Sequence, residues 1–144
     1  MKREAVDADL AEELARHGLR ATRQRVALLK LLRSQPGHYT VAELHRTLRR
    51  SQRRLSRKTV YEMLGSFVQV GLAACVTDGG EPVHYEAYTG PHYHARCRIC
   101  QRLIDLPARA DAQVRGYTDV PEGFVVETIN VTLRGVCLRC RDER

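Results

Sequence analysis

The sequence predicts an α+β protein in two parts, a winged helix-turn-helix over residues 1–86 with a hinge at its end and a small α/β unit over residues 87–144. Three observations carry this prediction. Apolar residues recur at helical spacing up to about residue 70 and then switch to strand-like alternation. Charge divides at the same place: residues 1–70 hold 15 Lys and Arg against 7 Asp and Glu, whereas residues 71–144 hold 9 against 10. Four of the five cysteines form two C-x-x-C pairs, both in the second part.

Four helices are predicted in the first part. Val6 to His17 is amphipathic, with Leu10 and Leu14 four apart and Gly18 as its stop. TRQRVALLKLLRS follows, with Thr22 as N-cap and Val26, Leu28, Leu29 and Leu32 as its apolar face; Gln35, Pro36 and Gly37 end it. TVAELHRTL opens on a capping box, Thr40 with Glu43, and lines up Val41, Leu44 and Leu48. LSRKTVYEMLGSFVQVGL has Ser56 as N-cap, Val60, Leu64, Phe67 and Val68 facing inward, and Gly71 as C-cap.

LAACVT and PVHYEAY then read as two strands joined through Asp78, Gly79 and Gly80. Short helices followed by a hairpin describe a winged helix, in which the helix before the hairpin enters the DNA major groove. Arg57, Lys58, Thr59 and Tyr61 stand at the start of that helix, where bases and phosphates are met. The plainer alternative is a basic helical bundle with a solvated surface and an incidental hairpin.

Gly90 and Pro91 mark a break. Beyond it HYHARC, RLIDL and FVVETINVTL read as strands, with a helix from Ala108 to Tyr117 between the second and third. A unit this small often needs a metal ion or a second copy for stability. Cys97-x-x-Cys100 and Cys137-x-x-Cys140 can each wrap two thiolates onto a tetrahedral ion, and together they complete the closed shell of a structural zinc site. An iron–sulfur cluster, a disulfide or redox chemistry are the alternatives, although a thioredoxin-like motif would need a βαβ context that is missing. Cys75 reads as a small buried hydrophobe.

HYHARCRIC, residues 92–100, places two histidines beside the first cysteine pair. On an extended strand His92 and His94 share one face while Tyr93, Ala95 and Cys97 share the other, which argues against a single shared site. Two histidines at i and i+2 begin a nitrogen and oxygen site if carboxylates or further histidines lie close. Glu86, His84, Asp105 and His38 are the candidates; the alternative is a pair of core or surface histidines.

Taken together, HGLRATRQR, SRKTVY, HYHARCRIC, RLIDL and GVCLRC resemble the ferric uptake regulator family of metal-sensing bacterial repressors across nearly the whole chain. The resemblance implies a homodimer with a winged-helix DNA-binding domain and a C-terminal dimerisation domain. It places a structural zinc on Cys97, Cys100, Cys137 and Cys140. It also places a regulatory site, for iron or manganese and with zinc possible in purified protein, on His38, Glu86, His92, His94 and Asp105. Arg20 matches a basic residue that reaches the minor groove in relatives, and Tyr61 would pack on a thymine methyl.

Departures bear on which signal is read. A cysteine commonly replaces Glu86 in zinc-sensing relatives, and the peroxide-sensing branch typically has Asp there. Tyr93 and the histidine-free ETINVTL predict that a further histidine and acid site found in many members is missing. Glu62 stands where relatives carry Arg or Asn, so the operator is expected to differ.

No stretch approaches the roughly 18 apolar residues of a membrane span, and MKREAVDADL lacks the apolar core of a signal peptide, so a cytoplasmic location is expected. There is no H-E-x-x-H and no deaminase signature, which argues against an enzyme or a small organic substrate. The expected partners are operator DNA and a second copy. The readings in competition are an iron- or manganese-dependent repressor, a peroxide sensor on the same scaffold, a zinc-uptake regulator, and a zinc-stabilised DNA-binding protein indifferent to added metal.

Overall fold

The spacing of Leu10 and Leu14 produces α1 (Lys2–Arg16), which begins ahead of Val6 because helix-forming residues precede the apolar stripe. It stops at Gly18, whose φ of 73° lets the Leu19 amide reach back to the Leu14 carbonyl at 2.9 Å. This is a computed structural model describing residues 2–34, 36–77, 82–87, 90, 92–107, 119–127 and 129–143. Two compact units, Met1–Tyr88 and Thr89–Arg144, divide the chain.

In the first unit, α2 (Arg23–Ser34) packs on α1, and an ion pair between Glu13 and Arg33 ties their surfaces. α3 (Val41–Leu48) opens on the expected capping box, with Thr40 accepting from the Glu43 amide and the Glu43 carboxylate accepting from the Thr40 amide at 2.8 Å. α4 (Arg57–Gln69) is capped by Ser56, whose hydroxyl accepts from the Thr59 amide at 3.1 Å, and ends at Gly71 with φ of 75°. The inward faces meet in one core: Leu14, Leu28, Leu29, Leu44, Val60, Leu64 and Phe67 are fully buried.

A three-stranded sheet completes this unit. β2 (Ala73–Val76) and β3 (His84–Ala87) pair antiparallel as the expected wing, while the turn residues Asp78, Gly79 and Gly80 lie outside the described residues. β1 (Tyr39–Thr40), which the sequence does not predict, pairs with the other edge of β3. Two residues are too few to generate an alternation signal, yet this bridge fixes the approach of the preceding residue, His38, to β3. Cys75 lies opposite Tyr85 in the β2–β3 ladder, and burial pushes its thiol up, in keeping with an inert side chain.

In the second unit, β4 (His92–Cys97) is the central strand, flanked by β5 (Leu103–Pro107) antiparallel and β6 (Thr132–Gly135) parallel. The prediction that all of FVVETINVTL forms a strand is corrected: of the described residues of that segment only Thr132 and Leu133 belong to β6. Phe124 and Val125 are 65% and 79% exposed and have no strand partner among the described residues, so β propensity alone leaves them unpaired. The predicted helix from Ala108 to Tyr117 lies outside the described residues. A short helix, α5 (Leu138–Asp142), follows Cys137 and was too brief to leave a periodic signature. No helix among the described residues is long and apolar enough to cross a membrane.

Candidate metal centres and nucleic-acid interface

Parallel pairing of β4 with β6 sets Cys97 opposite Gly135, so the chain leaving β6 delivers Cys137 and Cys140 to the Cys97–Cys100 turn. The four Sγ atoms lie within 4.8 Å of one another. Backbone geometry shapes both knuckles. The Gln101 amide donates to the Cys97 carbonyl at 2.9 Å, and Gln101 takes a φ of 61°, a left-handed conformation that closes the turn without glycine. The Arg98 amide donates to Gly135 at 2.8 Å, tying the first knuckle to β6. Cys137 caps α5, whose first turn carries the buried Cys140.

These sulfurs fit a tetrahedral ion. Bonds of about 2.3 Å to a tetrahedral centre put neighbouring sulfurs about 3.8 Å apart. Cys100 and Cys137 stand 3.8 Å apart, far beyond the roughly 2 Å of a disulfide. Protonation is uneven across the set. Amide donation from Cys137, at 3.4 Å, and from Cys100 pulls the Cys97 thiol down to about 6, whereas burial and the neighbouring thiols push Cys140 up to about 12. The set thus favours a thiolate at Cys97, and a bound cation would offset the charge that burial and the neighbouring thiols disfavour at Cys140.

A second chemistry occupies the other face of β4. Pleating turns His92 and His94 away from Cys97, and their rings meet edge to face with centroids 4.7 Å apart. Asp105 of β5 lies directly opposite His94, with Oδ1 3.8 Å from Nε2 of His94 and 4.0 Å from Nε2 of His92. These separations exceed hydrogen-bond length but suit ligands of one ion, whose nitrogen and oxygen donors lie roughly 3 to 4 Å apart. His92 Nδ1 donates to the Gly90 carbonyl at 3.0 Å, which assigns the proton to Nδ1 and makes Nε2 the ring's electron-pair donor. Spacing offered no hint of that orienting bond.

The first unit carries a matching pair. β1 and β3 bring His38 to Glu86, with Nε2 3.0 Å from Oε2; Glu86 is a buried carboxylate at 6% exposure. His84 does not join them: it pairs across the sheet with Thr40, near Glu43.

The candidate DNA-contacting residues all lie in the first unit. Arg57 and Lys58 are exposed at the start of α4, Tyr61 is 61% exposed, and Thr59 bonds through its hydroxyl to the Ser56 cap at 2.9 Å. Thr59 is therefore engaged in helix capping rather than presented freely. Glu62 pairs with Lys58 one turn before it at 3.8 Å. Arg20 is exposed, and its carbonyl accepts from Arg25 Nη1 at 3.1 Å, which anchors the turn ahead of α2.

Comparison with known proteins agrees with this architecture. The sequence model of the ferric uptake regulator family matches residues 16–134. The peroxide-responsive repressor PerR of Staphylococcus epidermidis is 28% identical, over 97% of this chain and 95% of the relative. Among solved structures, the Helicobacter pylori ferric uptake regulator superposes with a TM-score of 0.73 at 18% identity, covering 96% of this chain and 93% of that one. The Pseudomonas aeruginosa ferric uptake regulator with manganese gives 0.68 at 26% identity, covering 88% and 96%.

Proposed function

This chain belongs to the ferric uptake regulator family of transcription regulators, and from that premise we propose a homodimeric, metal-dependent repressor that binds operator DNA of metal-homeostasis genes with iron or manganese as co-repressor. The observation that supports this most is the donor chemistry of two histidine and carboxylate sets, one in each unit: His38 with Glu86, and His92 and His94 with Asp105. Imidazole and carboxylate suit iron and manganese, and Glu86 supplies a hard oxygen where a soft thiolate would favour zinc.

In this reading the five residues serve one regulatory ion, which when bound supplies a positive centre shared by both donor sets. A bound ion would then hold His38 and Glu86 of the DNA-binding unit together with His92, His94 and Asp105, and so would bias the protein toward one conformation. Gly90 holds the His92 ring ready for that role. In a dimer that conformation would set the separation of two α4 helices, which must match half-sites about 34 to 36 Å apart. Metal and DNA each tighten binding of the other by the same factor. Cys97, Cys100, Cys137 and Cys140 hold a structural zinc whatever the supply of regulatory metal. A second copy is supported by Phe124, Val125, Ile129 and Leu133, exposed apolar residues in a unit whose described residues bury little apolar surface.

The test is duplex-binding titration of protein stripped of regulatory metal but retaining its thiolate-bound zinc, using duplexes selected from a random pool with manganese present. Iron or manganese should raise affinity at least tenfold, as a coupling of about 1.4 kcal/mol requires. Equal affinity with and without every ion refutes the reading. A peroxide sensor is the second reading, favoured by the PerR relative. It predicts added oxygen on His38 or His92 by mass spectrometry after the iron form meets peroxide, and unmodified histidines count against it.

A further inference from the structure

A groove of about 450 Å³ lies in the first unit beside the start of α4, lined by Thr22, Arg23 and Gln24 at the opening of α2 and by Gln52, Arg53 and Arg54 in the loop before α4. Among the described residues no carboxylate lines it. The loop belongs to the most basic stretch of the chain, for Arg46, Arg49, Arg50, Arg53, Arg54, Arg57 and Lys58 fall within residues 46–58 without an intervening acid. Seven like charges repel one another when crowded, so a stretch of this kind is commonly a disordered tail. Here it is folded. The Gln52 amide donates to Leu48 at 3.0 Å, the Leu55 amide to Gln52 at 3.0 Å, and the His45 ring bonds the Leu55 carbonyl at 2.9 Å.

We infer that this groove is a second grip on duplex DNA, in which Arg53 and Arg54, with Arg23 opposite, hold a backbone phosphate run flanking the bases met by α4. The inference rests on the DNA-binding reading above and extends it to residues outside α4. Continuity favours this occupant, because Leu55 lines the groove and Ser56, Arg57 and Lys58 follow directly at the start of the recognition helix. Guanidinium groups suit phosphate geometry, and a folded loop avoids the ordering cost that a flexible basic arm would bear. Phosphate contacts position a protein without reading sequence, so this surface supplies affinity and register while α4 supplies choice.

The experiment is the salt dependence of binding to a random-sequence duplex for the full chain and for Arg53→Gln/Arg54→Gln. Each lost phosphate contact removes about 0.9 from the slope of log K against log salt, so the double variant should lose about 1.8 and bind roughly 30-fold more weakly at about 0.15 M salt. Arg53→Lys/Arg54→Lys should keep the wild-type slope, and an unchanged thermal midpoint shows that the exposed Gln variants remain folded. An unchanged slope overturns the inference even where iron or manganese still stimulates binding. Conversely, a reduced slope in a protein indifferent to both metals supports the groove while the metal-dependent reading falls. Should inorganic phosphate raise the midpoint of the wild type and not of the Gln variant, with equal duplex slopes, the groove is a small-anion site and the duplex assignment is wrong.

Discussion

Removing the thiolate-bound ion should unfold one unit and spare the other. The two units differ sharply in what they bury. Leu14, Leu28, Leu29, Leu44, Val60, Leu64 and Phe67 are each under 2% exposed in the first, whereas among the described residues of the second only Arg96, Cys97 and Cys140 are buried, at 5%, 3% and 6%. Structural zinc contributes about 10 to 16 kcal/mol in small zinc peptides near pH 7, comparable with the whole 5 to 15 kcal/mol stability of an ordinary domain. Among the described residues the second unit therefore buries little apolar surface to replace that ion. Cys137→Ser, or a strong chelator, should release β6 and α5 from the Cys97–Cys100 turn. Hydrogen exchange followed by mass spectrometry reads this directly. The amides of Cys97 and Arg98, which donate to Arg102 and Gly135, should lose at least about a thousandfold in protection, a loss of roughly 4 kcal/mol. Peptides spanning Leu28 to Leu32 and Val60 to Phe67 should exchange as before. Retained protection at Arg98 in metal-free protein would refute the reasoning, because hydrogen bonds between β4 and β6 would then suffice alone.

His94→Ala or Asp105→Ala should weaken iron or manganese binding by at least about tenfold while leaving the thiolate-bound zinc in place, as elemental analysis beside a metal titration will show. Tyr61→Ala and Arg20→Ala should each lower operator affinity at fixed salt by about 1 to 3 kcal/mol, and unchanged affinity removes these residues from the interface. Thr40→Ala should destabilise the first unit by about 1 kcal/mol in urea denaturation. The Thr40 amide and hydroxyl hold the Glu43 carboxyl below its ordinary 4.5, so this contribution is complete above that value and fades as pH falls through the lowered one. Thr40→Ala removes the hydroxyl's share of this effect and keeps the larger share of the amide, so the acid limb of the stability profile should flatten only in part.

Elements with a strong local signature were readable from sequence. Thr40 and Glu43 announced their capping box, Ser56 its helix, and Gly18 and Gly71 their stops, because each depends on residues within one turn. What escaped depends on distant partners or on very short segments. β1 exists only because β3 accepts a third strand, and the groove of Arg23, Arg53 and Arg54 joins residues some thirty positions apart. FVVETINVTL misled in the opposite direction, since its β-forming residues describe one long strand, whereas among the described residues only its end, Thr132 and Leu133, pairs with β4. The candidate ligands were legible as residue types, and the pleat of HYHARC separated thiolates from imidazoles. The Gly90 carbonyl that fixes the His92 tautomer was not, because any residue offers a carbonyl and only the backbone path decides which one arrives.

On the proposed reading one short strand, β4, would serve two ions, and its geometry would keep them from exchanging. Successive residues alternate faces, so Cys97 and His94 sit three positions apart yet project oppositely. Softness reinforces the geometry: four thiolates favour zinc, while imidazole and carboxylate tolerate several divalent ions. Protonation distinguishes the thiolate set further, since burial and the neighbouring thiols raise the Cys140 thiol and a bound ion must displace its proton. On the proposed reading, the same strand explains why the thiolate-bound ion would have to be retained for sensing. Asp105 faces His94 only through the β4–β5 ladder, and the Cys97 amide bond to Arg102 closes the turn that returns the chain into β5. Loss of the thiolate clamp should therefore abolish the regulatory site as well, whereas loss of His94 should leave the clamp intact, and this one-way dependence distinguishes a scaffold ion from a signal ion.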